Sequence, residues 1–382
     1  MKVTQVYEIV NTMTQEILGD SVVVNEDLSN IVDIGKAFED LGDKYDNYVR
    51  KLHDHIGRMV FVDRVYAGNA PSILMDGWEF GSILEKVRAD MPVAEENESW
   101  ELQDRTSYDP NIFYKPSVHA KFFNNKVTFE VPISITEKQV KSSFSNATQL
   151  NAFYSMIYNA IQKSMTVKLD ALIERTINAG IAETMYDAFP DGTYTGTTVR
   201  AVNLLKVYND SVEVADQLTA EQALRLDNEN FLKKCAWIMG KYVDRLGKLS
   251  TSYNIGGTEK FTPKDLLHFV LLSDFKRSAD VYLQSDTFHN ELTKLPEAET
   301  VPYWQGEAVE HKIMCKTPTG HNVTLTGIMG VMFDRDAMAV ANMDRRVTTN
   351  YNAKAEFWNE WHKMDAQYLL DLDENIVVFF IA

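Results

Sequence analysis

Residues 146–185 contain the strongest structural signal in the chain; they read NATQLNAFYSMIYNAIQKSMTVKLDALIERTINAGIAETM. Asn146 and Gln149 have the spacing of a capping box, in which two side chains satisfy free backbone N–H groups at the start of a helix. Apolar residues then recur every three or four positions on one helical face, and no proline interrupts them before Pro190. A helix over residues 147–185 would be about 55–60 Å long at about 1.5 Å per residue. We therefore expect a spine that crosses one whole face of a larger structure.

The last residues of the chain predict a second buried element. Residues 376–381 read IVVFFI between polar neighbours, and an apolar run without alternation is typical of a strand buried on both faces. Such a strand has to return into a core that earlier segments build. Between the two elements, residues 191–200 form a Gly/Thr-rich boundary, and helical patterns lie at residues 231–246 and near 265–281. Short strand-like runs lie at residues 266–272, 313–315, 323–328 and 331–333.

Before the helix, residues 61–134 predict an extended arm, because proline and glycine recur there and little helical pattern is present. Apolar residues alternate with polar ones on both sides of Asn124 and Asn125, a pair that tolerates the left-handed backbone of tight turns. The alternating apolar residues are Val118, Ala120, Phe122, Val127, Phe129 and Val131. The pattern predicts a long two-stranded hairpin with its tip at Asn124 and Asn125. An isolated hairpin is marginal in water, so this arm should pack on something else.

Composition excludes several classes of protein. The chain has 382 residues, and 38 Lys and Arg against 55 Asp and Glu give a net charge of −17, which argues against nucleic-acid binding through bulk charge. Its 45% apolar residues are enough for a large core. Two cysteines, Cys235 and Cys315, do not make a disulfide scaffold, and we expect both to be buried thiols. Without a signal-peptide pattern or a membrane-length apolar run, the sequence is typical of a soluble intracellular protein.

The acidity is concentrated at the two ends of the chain. Residues 1–100 contain 19 acidic and 9 basic side chains, and residues 351–382 contain 6 and 2. The middle, residues 101–350, is nearly balanced, with 30 acidic and 27 basic side chains. A solvated surface is the ordinary interpretation of each acidic cluster taken alone.

The candidate chemical motifs are weak. His53-Asp54-His55 has no third ligand, and helix positions one or two apart do not share a face. Residues 371–375, DLDEN, begin like a calcium loop but have neither its turn glycine nor its closing Glu. Residues 256–260, GGTEK, do not have the spacing of a phosphate loop. We therefore predict no catalytic residue, no metal site and no cofactor, which favours a structural protein.

Several segments resemble one family of structural proteins. Residues 331–340, VMFDRDAMAV, are similar to a strand, D-K/R-D, strand passage, and residues 271–277, LLSDFKR, to a strand followed by a short helix. Residues 351–362, YNAKAEFWNEWH, and the terminal apolar strand also match in character. In these segments and in the order of its elements, the chain resembles the major capsid proteins of tailed bacteriophages with the Hong Kong 97-like fold, and among these the subgroup from small short-tailed phages.

The resemblance implies an α+β fold with an N-terminal arm, an extended β-hairpin called the E-loop, a spine helix, and peripheral and axial domains. The implied boundaries are 1–60 for the N-terminal arm, 61–133 for the E-loop, 134–200 for the peripheral domain with the spine helix, 201–340 for the axial domain, and 341–382 for a C-terminal return into the peripheral domain. An arm and a hairpin without a core of their own would become ordered by burial against neighbouring subunits.

The resemblance also implies a function, which is self-assembly into the hexamers and pentamers of an icosahedral shell that encloses double-stranded DNA. The implied subunit contacts lie at the E-loop hairpin and its tip, namely Lys121, Phe122, Asn124, Asn125 and Lys126. Acidic residues within the first hundred positions are expected to meet Lys and Arg of neighbouring copies or to face solvent. Some of the acidity is also expected to line the lumen and keep DNA from adhering. The virion capsid is the expected location, with assembly in the cytoplasm of the host bacterium.

The expected partners follow from the same resemblance. The chain should contact copies of itself, a portal, and DNA that is enclosed without specific binding, and it should not contact a membrane. Residues 1–60 lack the long, highly charged coiled coil of a fused scaffolding segment, so a separate scaffolding protein is expected. Two alternatives remain open at this point: the shell of an encapsulin-type nanocompartment, and a soluble α/β enzyme with an unrecognised site.

Overall fold

The computed structural model describes residues 70–76, 84–136, 147–283, 295–305 and 312–382. The helices predicted within residues 1–60, the His53-Asp54-His55 motif and the capping residue Asn146 lie outside the described residues. The described strands are β1 (Leu74–Asp76), β2 (Leu84–Ala89), β3 (Val118–Phe123), β4 (Asn125–Thr136), β5 (Ala201–Asn203), β6 (Leu267–Leu272), β7 (Glu299–Val301), β8 (Ile313–Lys316), β9 (Asn322–Leu325), β10 (Ile328–Asp334), β11 (Met338–Asn352), β12 (Phe357–Leu370) and β13 (Ile376–Phe380). The described helices are α1 (Ala147–Ala188), α2 (Leu204–Asn209), α3 (Ala220–Leu224), α4 (Glu229–Leu246) and α5 (Ser273–Leu283).

Helix α1 confirms the predicted spine. It contains 42 residues, which corresponds to a length of about 60 Å. Its second half buries one row of aliphatic side chains at helical spacing, namely Leu169, Ile173, Ile177 and Ile181. The helix ends at Ala188, because a proline at position 190 disfavours helical backbone at the residue before it.

The chain divides into two compact units. In the first unit, which includes residues 126–175 and 340–367, strands β11, β12 and β4 are neighbours in that order within one sheet. Along β12 every second residue is buried, as expected of a strand with one face on a core. The buried residues on this face include Trp358, Glu360, His362, Met364 and Ala366.

The second unit, residues 71–125, 176–339 and 368–382, is built on a five-stranded sheet with the order β5–β13–β10–β6–β7. Strand β13 is antiparallel to β10 and parallel to β5, and all five of its residues are buried. The ring of Phe379 packs edge-on against Tyr242 of α4 at 5.6 Å between centroids. The prediction of a central C-terminal strand is therefore confirmed.

The remaining elements follow local signals. Helix α4 begins where the side chain of Asn228 accepts a hydrogen bond from the backbone N–H of Phe231, and it confirms the helix predicted at 231–246. The segment near 265–281 divides into strand β6 and helix α5. Strands β8, β9 and β10 occupy the other short runs predicted as strands. The α+β class is confirmed, and a long spine helix and an extended hairpin, which the Hong Kong 97-like resemblance implied, are both present.

The predicted pairing of the hairpin is wrong. Strand β3 pairs with β2, from Leu84 opposite Phe123 to Ala89 opposite Val118, whereas β4 lies beside β12 in another sheet. Only Asn124 separates β3 from β4, so residues 124 and 125 are not the tip of a hairpin. Alternation shows that a strand is half-buried, but it does not identify the strand that pairs with it. The actual hairpin is β2–β3, and residues 90–117 form its loop.

Two further predictions concern the burial of the cysteines and the character of the helices. Cys235 is fully buried, as predicted, but Cys315 is only half-buried, with its Sγ 3.7 Å from the carbonyl oxygen of Asn178. Within the described residues, no helix combines the length and the apolar character that a membrane span requires.

The close approach of Gly327 to the backbone of Ile381 leads to a prediction about stability. Gly327 has a φ of +73°, and a Cβ there would overlap the carbonyl oxygen of Ile381, whereas Gly257 has a φ of +65° with open space around it. Gly257→Ala should lower the free energy of unfolding by about 1 kcal/mol, because alanine is strained in the left-handed backbone conformation of this position. Gly327→Ala should lower the free energy of unfolding by roughly 2 kcal/mol more, because the backbone at Ile381, the residue after β13, must also shift. Urea unfolding of the dissociated subunit measures both, and equal losses would contradict the proposed close approach.

Candidate functional site: the anchored hairpin

The candidate site lies where the acidic segment between β12 and β13 meets the β2–β3 hairpin. No cluster of three or more His, Cys, Asp or Glu in this part of the chain could hold a metal ion. The acidic segment at residues 371–375, which lies between β12 and β13, instead meets lysines of the same chain. It holds the base of the β2–β3 hairpin, and this anchor defines the candidate site.

Two lysines at facing positions of the hairpin reach the same carboxylate. Lys86 of β2 and Lys121 of β3 are opposite each other in the register, so their side chains leave the same face of the two-stranded sheet. Lys86 Nζ lies 2.8 Å from Asp371 Oδ2 and 3.0 Å from Glu374 Oε1. Lys121 Nζ lies 2.8 Å from the other oxygen of Asp371 and 3.1 Å from Asp373 Oδ2.

The carboxylates are buried and receive further partners. The side chains of Asp371 and Glu374 are only 4% and 8% exposed, and Lys260 Nζ lies 2.8 Å from Glu374 Oε1. Buried carboxylates are costly unless cations and hydrogen bonds compensate them, so the three lysines stabilise this loop in its folded conformation. We call the following residues the anchor cluster: Lys86, Lys121, Lys260, Asp371, Asp373 and Glu374.

The turn between β10 and β11 supports the anchor cluster through its backbone. Asp334 accepts a 2.9 Å hydrogen bond from the backbone N–H of Asp336, which fixes the turn. The carbonyl oxygen of Asp336 then accepts a 2.9 Å hydrogen bond from Lys86 Nζ. The other carboxylate oxygen of Asp334 accepts a 2.6 Å hydrogen bond from the buried hydroxyl of Thr262. The D-R-D passage therefore positions the hairpin as well as joining two strands.

The pKa shifts in the anchor cluster follow from two opposing effects. Burial alone would raise the pKa of Asp371, but hydrogen bonds from Lys121 and Lys86 and their charges lower it below its ordinary value. Burial alone would lower the pKa of Lys86 and of Lys121, but hydrogen bonds and charge from Asp371 outweigh that effect and raise both. The charged forms are therefore the stable ones on both sides of the contact.

Beyond the anchor, the loop of the hairpin exposes its apolar side chains. The exposed large apolar residues of the hairpin are Val87, Met91, Val93, Trp100, Leu102, Tyr108, Ile112, Phe113, Tyr114, Val118 and Phe122. Trp100 is 95% exposed and Phe113 is 84% exposed. The hydrogen bonds described for the loop stay within the hairpin, such as the one from the Ser99 N–H to Asn97 Oδ1. Apolar exposure on this scale marks a surface for interaction with a partner.

The structure separates the residues that the sequence placed at the hairpin tip. Lys121 belongs to the anchor cluster, and Phe122, the next residue on β3, is 64% exposed. Asn124 joins β3 to β4, and Asn125 and Lys126 are exposed at the start of β4. Sequence reasoning missed Lys86 and its pairing with the carboxylates of residues 371–375. A usable signal was present, because three carboxylates in a short segment between two apolar strands require cations nearby.

Comparisons with known proteins locate the chain among phage proteins. The model of the Phi29-like phage major capsid protein family matches residues 9–380. Among curated proteins, no sequence matches this chain. A chain from the capsid of Staphylococcus phage Andhra is 10% identical with a TM-score of 0.49, and the match covers 83% of this chain and 85% of that one. A chain from the capsid of cyanophage P-SCSP1u is also 10% identical, with a TM-score of 0.44 and coverages of 84% and 92%.

The anchor cluster leads to a prediction about stability. Lys86→Met removes one cation from two buried carboxylates, and since Lys86 is itself partly exposed, the free energy of unfolding should fall by about 2 kcal/mol. Lys206→Met on α2, which breaks the exposed pair with Asp210, the residue after that helix, should change it by less than about 0.5 kcal/mol. Urea unfolding of the dissociated subunit measures both changes. Equal effects of the two substitutions would show that the anchor contributes no more than an ordinary surface pair.

A second prediction concerns pH. Because the pKa of Asp371 is lowered on folding, its contribution to stability is complete above the ordinary value of 3.8 and is lost as the pH falls through the folded value. The pKa of Lys86 is raised above 10.5, so its contribution is lost only above that pH. The stability difference between the unsubstituted chain and Asp371→Asn should be constant from about pH 5 to 9 and shrink below about pH 4. A difference that persists unchanged at pH 3 would exclude an ionic anchor.

Proposed function

The chain belongs to the Phi29-like phage major capsid protein family, and from this premise we propose that its copies assemble into the hexamers and pentamers of a closed icosahedral shell. Family membership confirms the predicted capsid function, which makes the chain a structural component of the virion and not an enzyme. It also sets aside the nanocompartment and enzyme alternatives. Origin in the small short-tailed subgroup and the domain boundaries implied by the resemblance remain predictions.

The observation that carries the assembly proposal is the exposed loop of residues 90–117. Large aromatic side chains such as Trp100 and Phe113 are almost fully exposed on the subunit, where each loses the free energy that burial would provide. Burial of this loop on a neighbouring copy would recover that free energy. Because the loop and its receptor are different surfaces of one chain, the contact is head-to-tail, and such contacts close into rings when the rotation permits.

The anchor cluster gives the hairpin a fixed base for this contact. The β2–β3 hairpin falls within residues 61–133, the segment that the resemblance assigns to the E-loop. Ion pairs to Asp371 and Glu374 hold its base, so the loop can be ordered by a neighbour without the entropy loss of ordering the whole arm. Many modest contacts of this kind, repeated around a shell, would give a stable particle through avidity.

The residues predicted to contact a neighbouring subunit divide into exposed residues and one residue, Lys121, that is already paired within its own chain. Phe122, Asn125 and Lys126 are exposed and remain our candidates for contact with a neighbour, together with Asn124. Lys121 is committed to Asp371 and Asp373 of its own chain, so its role in a contact would be indirect, through the position of β3.

The further partners that we propose are a separate scaffolding protein, a portal, and double-stranded DNA enclosed without specific binding. The acidic balance of the chain supports the last point, since a wall of like charge does not bind phosphates tightly. Assembly would take place in the cytoplasm of the host bacterium. Salt should weaken the ionic part of the subunit contacts while the fold of the subunit remains.

The hairpin offers a clean test of the proposed assembly. Asp90 donates its backbone N–H to the carbonyl oxygen of Ser117, so residues 91–116 can be replaced by Asn-Gly, which forms a two-residue turn between paired strands. This variant keeps Lys86, Lys121 and the whole sheet register. We expect it to fold as a subunit with an unchanged melting temperature and to form no shells by sedimentation and electron microscopy. Normal shells from this variant would refute the role assigned to the loop.

A further inference from the structure

A basic groove runs along the exposed side of helix α4. Its volume is about 980 Å³, and it continues onto the turn that follows the helix. We call it the Trp237 groove, after the residue at its centre; the principal lining residues are Lys233, Trp237, Lys241, Arg245, Lys248 and Tyr253. All of them belong to the second compact unit. A concentrated positive surface stands out in a chain with a net charge of −17.

Trp237 is 56% exposed and carries two lysines over its ring. Lys234 Nζ lies 4.6 Å from the ring centroid and Lys241 Nζ lies 5.0 Å from it. An indole on the solvent side of an amphipathic helix is exposed at a cost unless a partner covers it. Tryptophan flanked by cations is also the composition that concentrates binding energy at protein interfaces.

The positive charge of the groove is only partly neutralised within the chain. Asp244, the carboxylate that lines it, lies 3.2 Å from Lys264, and Lys233 pairs with Glu229 at 2.6 Å. Among the described residues, no carboxylate lies within ion-pair distance of Lys241 or Lys248. Partial burial lowers the pKa of Lys241, and the neighbouring positive charges of Arg245 and Lys234 lower it further.

The hairpin loop carries the complementary surface. Residues 95–101 read EENESWE, so four carboxylates flank one tryptophan. Glu95, Glu96, Trp100 and Glu101 are exposed, and within the described part of the chain these glutamates make no ion pair. The groove therefore presents cations around an aromatic ring, and the loop presents anions around an aromatic ring.

We propose that the Trp237 groove of one subunit receives the acidic segment at residues 95–101 of the hairpin loop of a second copy. The proposal rests on the assembly proposed above and names the surface that receives the loop. Glutamates of the segment would pair with Lys241, Arg245 and Lys248, and Trp100 would cover Trp237. The indole rings would gain an offset or edge-on contact, and both would be removed from water.

Packaged DNA is the other ligand that a basic surface could take, and two features favour the peptide. The cations surround one concave site on helix α4 and the turn that follows it, whereas a duplex is followed by cations spread along an extended face. The centre of the groove is an exposed indole, which matches the exposed Trp100 and has no counterpart on a duplex with stacked bases.

Charge reversal with rescue tests the proposal in full-length chains. Lys241→Glu with Lys248→Glu should reduce the yield of shells at least about tenfold, and Glu95→Lys with Glu96→Lys should do the same, because like charges then face each other. All four substitutions together should restore assembly. Lys206→Glu with Lys316→Glu, an equal charge change at exposed lysines outside the groove, is the matched control and should assemble normally.

A cross-link keeps the test independent of assembly yield. With Glu96→Cys and Lys241→Cys in one chain that also carries Cys315→Ser, to remove the half-buried native thiol, a short bismaleimide should join copies into a ladder, and either substitution alone in that background should not. Rescue or the paired ladder supports the proposal. If the groove reversals leave shell yield unchanged while the Asn-Gly variant forms no shells, the groove assignment is overturned and the assembly role of the loop stands. Reversals that change only the DNA content of normal shells would overturn it in favour of nucleic acid.

Discussion

The contact between two hairpin lysines and a pair of buried carboxylates is the constraint on which the functional surface depends. The β2–β3 hairpin exposes nearly all of its apolar side chains and has no core of its own, so burial does not hold it in place. Lys86 and Lys121 supply what burial does not, since each bonds to Asp371 at 2.8 Å. Because Asp371 and Glu374 are buried, the loss of one cation leaves a buried charge without compensation, which costs more than the loss of a surface pair.

The core around strand β13 determines where that contact forms. Strand β13, buried along its whole length, fixes the segment that precedes it, and Asn375 continues into a buried network in which it donates a 3.1 Å hydrogen bond to Thr262. Thr262 in turn bonds to Asp334, whose turn presents the Asp336 carbonyl to Lys86. The apolar C-terminal strand, the D-R-D turn and the hairpin are thus linked by one continuous set of hydrogen bonds. This arrangement gives the subunit an exposed loop on a base that is held by ion pairs to the core.

The sequence predicted those features that local periodicity specifies. Helical spacing in residues 146–185 identified α1, and an apolar run without alternation identified β13 as a central strand. Pairing was not predictable in the same way, because β3 and β4 have the same alternation whichever strands lie beside them, and β3 pairs with β2 across a long loop. The anchor was missed for a related reason, since 285 positions separate Lys86 from Asp371 and no local pattern joins them. The acidic residues 371–375 and Lys121 were both noticed, but their pairing with each other and with Lys86 was not.

The central claim is that the loop of residues 90–117 becomes ordered by burial against a neighbouring copy. Hydrogen–deuterium exchange of its backbone amides, compared between dissociated subunits and assembled shells, tests this most directly. The account predicts fast exchange in the free subunit, strong protection of the loop in shells, and little change in β13, which is protected in both states. Shells in which the loop exchanges as fast as in the free subunit would contradict it.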